Sequence, residues 1–258
     1  MPMAHNAMTV QAKRFILCSL IVASGVRVAA QANEPPADLV RQVAERETAT
    51  QAARLKYLYR QTVRVEDFRA NGQKAGEYGE VREVIFLPDG KREEQVVKKP
   101  WNRLVMIQMT EEDFRDIRDV QPILLTKDTL FIYESKYKGE EAVDGVDCWL
   151  LQVRPRQILS GQRLFDGMLW VDKRDFSIIR SEGQAVPQIR TSKSENLFPH
   201  FTTLRSKVDG EHWFPVKTYG DDTLYFRSGP QRMRLIVEYA NYRRFGSEST
   251  IKFETGKP

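Results

Sequence analysis

The hydrophobic pattern of this chain changes period twice before residue 70. Phe15 to Val26 is a continuous apolar run of 12 residues behind Lys13 and Arg14. Asp38 then stands where a helix cap is wanted. Leu39, Val40 and Val43 open an apolar stripe that predicts a helix to about Ala53, although the stripe thins out towards its end. From Tyr57 the period drops to two: Tyr57, Tyr59, Gln61, Val63 and Val65 alternate with Leu58, Arg60, Thr62, Arg64 and Glu66, which is a strand pattern. The alternation returns over 81–87, turns at Pro88-Asp89-Gly90 and comes back over 91–98.

Thr110 followed by Glu111, Glu112 and Asp113 predicts a helix over 112–120, with acids in its first turn, Phe114 and Ile117 on one face, and Pro122 as its limit. Strands are then expected over 129–134, 147–153, 167–172, 177–182, 202–208, 213–219, 223–227, 233–242 and 249–254. Val143-Asp144-Gly145-Val146 is a hairpin turn, and Gly220-Asp221-Asp222 is expected to be another. Turn signals about every 8 to 12 residues, with no alternation of strand and helix, predict an antiparallel sandwich or barrel. The stretch 184–199 contains Pro and Ser and is expected to be a solvated loop. The fold class is therefore mainly β (α+β), with two or three helices.

Composition changes the picture in two places. The net charge of +5 suggests a basic protein, but residues 1–32 contribute Lys13, Arg14 and Arg27 and no acid, leaving 37 basic and 35 acidic groups beyond them. That balance predicts no affinity for nucleic acid. The basic residues, the short apolar run and Ala30-Gln31-Ala32 form the pattern of a secretory signal peptide cleaved near Ala32, so an exported, periplasmic domain over 33–258 is expected. Leu17 before Cys18 does not fit a lipidation site. Cleavage removes Cys18, so Cys148 becomes a single thiol with no intramolecular disulfide to form.

Candidate chemistry is sparse. His200 and His212 lack the partner spacing of a metal site, and no metal or cofactor is expected. Ser160-Gly161 lacks a nucleophile elbow, and Cys148 falls within a strand, where a buried small hydrophobe is expected. The strong feature is the apolar rows. Trp149, Leu151 and Val153 form one, Met168 and Trp170 a second, Met233, Leu235 and Val237 a third, and Leu130 and Ile132 a fourth. Such rows either pack a two-layer core or line an apolar ligand cavity.

The hairpins themselves have a recognisable order. Val143-Asp144-Gly145-Val146-Asp147-Cys148-Trp149-Leu150-Leu151 is followed by Gly167-Met168-Leu169-Trp170-Val171-Asp172 and Phe176-Ser177-Ile178-Ile179-Arg180-Ser181-Glu182-Gly183. Val208-Asp209-Gly210-Glu211-His212-Trp213-Phe214-Pro215 and Tyr239-Ala240-Asn241-Tyr242-Arg243-Arg244-Phe245 close the series. Across most of the chain beyond residue 32 this order resembles the lipoprotein-localisation superfamily: LolA-like periplasmic carriers, their LolB-like receptors and related sigma-factor regulators.

The resemblance implies an incomplete, strongly curved antiparallel β-barrel with helices over its open side. It implies a non-catalytic carrier that shelters the acyl chains of a lipid or lipoprotein, with a membrane-bound donor or acceptor as partner. The apolar rows would then be cavity walls, and the helix at 112–120, through Phe114 and Ile117, would be a lid together with the N-terminal helix. An arginine with a gating role is also implied; Arg60, Arg64, Arg82, Arg154 and Arg180 are the strand arginines, and the sequence singles out none. A sensor module of the same fold, with 184–200 as a contact loop, and an enzyme acting on a lipid-like substrate are the other classes.

Overall fold

A computed structural model describes residues 34–87, 89–119, 124–191 and 195–245. The expected leader, Pro88, Pro122 and the expected strand 249–254 lie outside them.

The first helix, α1 (Leu39–Arg54), buries Leu39, Val43, Ala44, Glu47, Thr50, Ala53 and Arg54, a spacing of three and four residues that marks one continuous face. The face persists where its apolar character stops, because Glu47, Thr50 and Arg54 also point inwards. Asp38 sits at the helix start as expected, but its carboxylate accepts from the side chains of Gln42, at 2.7 Å, and Arg41 rather than from a backbone N–H.

Three strands follow as a meander: β1 (Tyr57–Phe68), β2 (Lys74–Phe86) and β3 (Arg92–Asn102). The chain then passes through α2 (Glu111–Asp119) and a short 3-10 turn at Leu130–Ile132. Four more strands come next: β4 (Tyr133–Val143), β5 (Val146–Pro155), β6 (Leu164–Asp172) and β7 (Ile178–Val186). A two-stranded ribbon of β8 (Ile189–Arg190) and β9 (Glu195–Asn196) precedes β10 (Phe201–Val208), β11 (His212–Phe226) and β12 (Gly229–Arg244).

Ten strands form one antiparallel sheet in the order β3-β2-β1-β12-β11-β10-β7-β6-β5-β4. Laid flat, ten strands about 4.8 Å apart would span about 43 Å. Yet Val84 of β2, Tyr133 of β4, Leu169 of β6, Phe201 of β10 and Val237 of β12 join Leu39 and Val43 of α1 in a single buried cluster. The sheet must therefore curl around the helix. β3 and β4 are its two unpaired edges, so the barrel stays open.

At one point the curl depends on missing side chains. Gly167 and Gly183 face each other across β6 and β7, and a Cβ on Gly167 would lie 2.2 Å from the Glu182 carbonyl oxygen and 2.5 Å from the Phe165 ring. The Phe165 ring covers both glycines, which lets the two backbones approach.

The structure departs from sequence expectation in four respects. There are two α-helices among the described residues, not a third. The expected strand 129–134 begins only at Tyr133, after the 3-10 turn. Gly220-Asp221-Asp222 is no turn but the middle of β11. Asp221 lies opposite Arg234 on β12 and binds both Arg232 and Arg234, so the cross-strand ion pairs hold extended a sequence that otherwise favours a turn. Finally, the described ends of 184–199 are not solvated loop: β7 runs to Val186, and Leu197 and Phe198 are buried in the core.

Candidate functional site

The apolar rows divide between the two faces of the sheet. Trp149, Leu151 and Val153 point inwards, with Trp149 stacked on Phe176 at 5.3 Å. Met233, Leu235 and Val237 line the inner face of β12, and Leu130 and Ile132 pack, half-buried, against the same cluster. Met168 and Trp170 do not join them. Register pairs Trp170 with Leu150 and Met168 with Gln152, so Leu169 and Val171 take the inward positions of β6. Met168 and Trp170 belong instead to a second cluster with Cys148 and Ile179 on the opposite face. There the Trp170 indole donates to Glu141 at 3.1 Å, and the Arg180 guanidinium lies 4.4 Å from the ring centroid.

Inside the barrel, α2 closes down on the sheet. Phe114 meets Tyr78 edge to face at 5.4 Å, and Ile117 enters the core. A cavity of about 40 Å³ remains beneath the helix, walled by Ile117, Phe198, Met233 and Leu235 among others. That volume suits a few waters, against about 300–1,000 Å³ for a typical ligand pocket. Of the rows expected to line a cavity, Trp149, Leu151 and Val153 are packed core, Met233 and Leu235 face only this small space, and Leu130 borders a more open pocket of about 550 Å³ with Val40 and Tyr133.

Polar latches hold α2 at both ends. Thr110 and Asp113 form a reciprocal cap, with Thr110 N–H donating to the Asp113 carboxylate at 2.6 Å and Asp113 N–H to the Thr110 hydroxyl at 3.3 Å. Burial pushes the Asp113 carboxyl above its ordinary pKa. Asp116 is paired with Arg163 at 2.8 Å, and Asn196 on β9 donates to Thr110 at 2.9 Å. Ahead of the helix, the buried Asp67 carboxylate accepts from the backbone N–H groups of Val105, Met106 and Ile107 at 2.7, 2.5 and 3.2 Å.

A larger and more apolar space lies elsewhere. A pocket of about 880 Å³ opens between the end of α1 and the residues after it (Ala52, Leu55, Lys56), the end of β2 with the next residue (Ile85, Phe86, Leu87), the start of β3 and Phe245 after β12. Its floor is aliphatic and aromatic; Glu93 and Lys56 are exposed charged members of its lining. Sequence reasoning missed these residues as a site because they lie at the ends of separate elements; Ile85 and Leu87 were read only as part of a strand alternation.

The interior also holds charge that no motif announced. Arg205 of β10 makes two hydrogen bonds to Glu47, each 2.7 Å, with both side chains 1% exposed, and Glu47 also accepts from Leu124 N–H at 2.7 Å. Among the described residues Arg54 is the other buried arginine. None of the five strand arginines considered from the sequence is buried.

The remaining candidates do not converge. His200 and His212 sit at opposite ends of the β10–β11 hairpin, eight residue steps or about 26 Å apart. Cys148 is fully buried, and burial pushes its thiol up to about 12. Among the described residues no group of three or more His, Cys, Asp or Glu is placed to hold a metal ion, and no helix is long and apolar enough to cross a membrane.

No family model and no curated protein matches the chain. Among solved structures it is similar to a LolA superfamily protein of Nitrosomonas europaea: 13% identity over 81% of this chain and 94% of that one, with a TM-score of 0.36. It is similar also to a domain assigned to outer membrane lipoprotein sorting from Vibrio parahaemolyticus, with 10% identity, coverage of 79% and 92%, and a TM-score of 0.36. The MucA/MucB complex of Pseudomonas aeruginosa gives 13% identity, coverage of 82% and 100%, and a TM-score of 0.25. With overlaps this loose, function has to come from the chain's own geometry.

Proposed function

We propose that this protein is a periplasmic, non-catalytic carrier that shelters the acyl chain of a lipid or acylated lipoprotein and passes it, through a membrane-bound donor or acceptor, towards the outer membrane. The observation that supports this reading is the open apolar pocket of about 880 Å³ beside the free β3 edge. Each buried CH₂ contributes about 0.8 kcal/mol, so a chain laid along Leu55, Ile85, Leu87 and Phe245 is held by an aliphatic wall yet can leave through the open side. The signal-peptide pattern of residues 1–32 supports export.

Two measurements test it. Native mass spectrometry of protein isolated from a periplasm is expected to show excess mass that extracts as lipid or acylated peptide. A neutral fluorescent probe, N-phenyl-1-naphthylamine, is expected to bind the lipid-free protein and to lose about tenfold in affinity in Ile85→Glu, where a carboxylate replaces part of the wall. An apo mass with no probe uptake sinks the carrier. Uptake without transfer to acceptor vesicles would leave a sensor of the same fold.

A further inference from the structure

Arg54 ends α1 and is 6% exposed, yet among the described residues no carboxylate pairs with it. Its guanidinium donates to the Tyr59 hydroxyl and lies 4.9 Å from the Tyr59 ring centroid and 5.7 Å from that of Phe86. Its Nε is buried without an acceptor. Tyr239 and Tyr242, 6.1 and 5.2 Å from Tyr59 ring to ring, complete the aromatic surround. Nearby guanidinium groups are matched: Arg82 by Glu80 and Glu94, and Arg92 by Glu94. Arg54 is left as one buried positive charge, and contact with aromatic faces offsets only part of what its desolvation costs.

The place of this charge suggests its partner. Phe86, one wall of the arginine's surround, is also a wall of the 880 Å³ pocket, and Ala52, Leu55 and Lys56 on either side of Arg54 in sequence line the same pocket. We infer that Arg54 is the anchor for the anionic head group of an amphiphile whose alkyl chain occupies that pocket. A carboxylate or phosphate oxygen pair matches the guanidinium fork and accepts from the free Nε, and the head group reaches it when the Phe86 ring turns aside. A neutral acyl ester can accept a hydrogen bond there but brings no charge to match the guanidinium. The inference rests on the carrier reading and adds the charge of the cargo.

The test uses displacement of N-phenyl-1-naphthylamine from the lipid-free protein at neutral pH by dodecanoate, dodecyl phosphate and methyl dodecanoate. The two anions are expected to compete at about tenfold lower concentration than the ester, and whichever binds more tightly identifies the head group. Arg54→Met is expected to abolish the preference while keeping probe binding, and Arg54→Lys to retain part of it. Should Arg54→Met fail to fold, the wild-type comparison stands, and Phe86→Ala, which opens the route to the guanidinium, is expected to raise the preference. Equal competition by ester and anions in the wild type overturns the anchor alone, leaving an apolar pocket. Failure of the probe and of every amphiphile to bind overturns the anchor and the carrier together.

Discussion

His212 stacks on Phe214 at 5.7 Å with its Nδ1 buried and without a partner, and burial holds the imidazole below its usual pKa. The folded state favours the neutral ring. Its contribution to stability is complete above the unfolded value of about 6.5 and is lost as pH falls through the lower folded value. Urea melts of the wild type are expected to show this loss on acidification, and His212→Phe, which keeps the stack, is expected to flatten that part of the profile; an unchanged profile would place the titration elsewhere. At this scale the inward row of β12 was legible, because Met233, Leu235 and Val237 alternate with Arg234, Ile236 and Glu238, mostly polar, whereas in β5 the aromatic bulk of Trp149 had to mark the row against Cys148 and Leu150. β6 was not: Met168 and Trp170 alternate with Leu169 and Val171, all apolar, and only pairing with β5 decides which row faces in. Glu47 and Arg54 hid the end of the α1 stripe, since the partner of Glu47 is Arg205, 158 positions away.

Among the elements, α2 has the most to lose from a single change. Removing the Arg163 guanidinium takes a 2.8 Å ion pair from Asp116, which is 1% exposed. Arg163→Ala is therefore expected to cost about 3–5 kcal/mol, the usual penalty for breaking a buried pair. Hydrogen exchange is expected to report that loss first in residues 111–119 and 195–198, with little change in β11 and β12. A uniform rise across the sheet would show that α2 does not open separately. The helix itself was legible from Thr110, Asp113 and the Phe114–Ile117 face. Its latch was not, because Leu197 and Phe198 fall in a Ser- and Pro-containing stretch whose burial depends on docking against α2.

For the molecule as a whole, Glu47 joins the central helix to β10 and to the segment entering β4 through Leu124. Glu47→Ala removes two 2.7 Å charged hydrogen bonds from the buried Arg205 and is expected to lower unfolding free energy by about 3–5 kcal/mol in one cooperative transition. Replacing both partners by apolar residues, Glu47→Leu with Arg205→Met, is expected to recover most of it. Recovery absent in denaturant melts would mean that the pair fixes the position of the helix rather than only neutralising charge. An antiparallel sheet was readable from turn spacing, whereas its unclosed state follows from which strands remain without partners.

Those two bare rims have a consequence for crowding. A sheet left open could zip rim to rim with other copies and grow into a tape. β3 counters this with Lys98, Lys99 and Pro100, which has no N–H to offer. β4 alternates Glu134, Lys136, Lys138, Glu140 and Glu141 and breaks register between Tyr137 and Gly139. Mismatched charge, a proline and a bulge let the barrel keep its gap while discouraging its neighbours from filling it, so that solubility and openness are written into the same two strands.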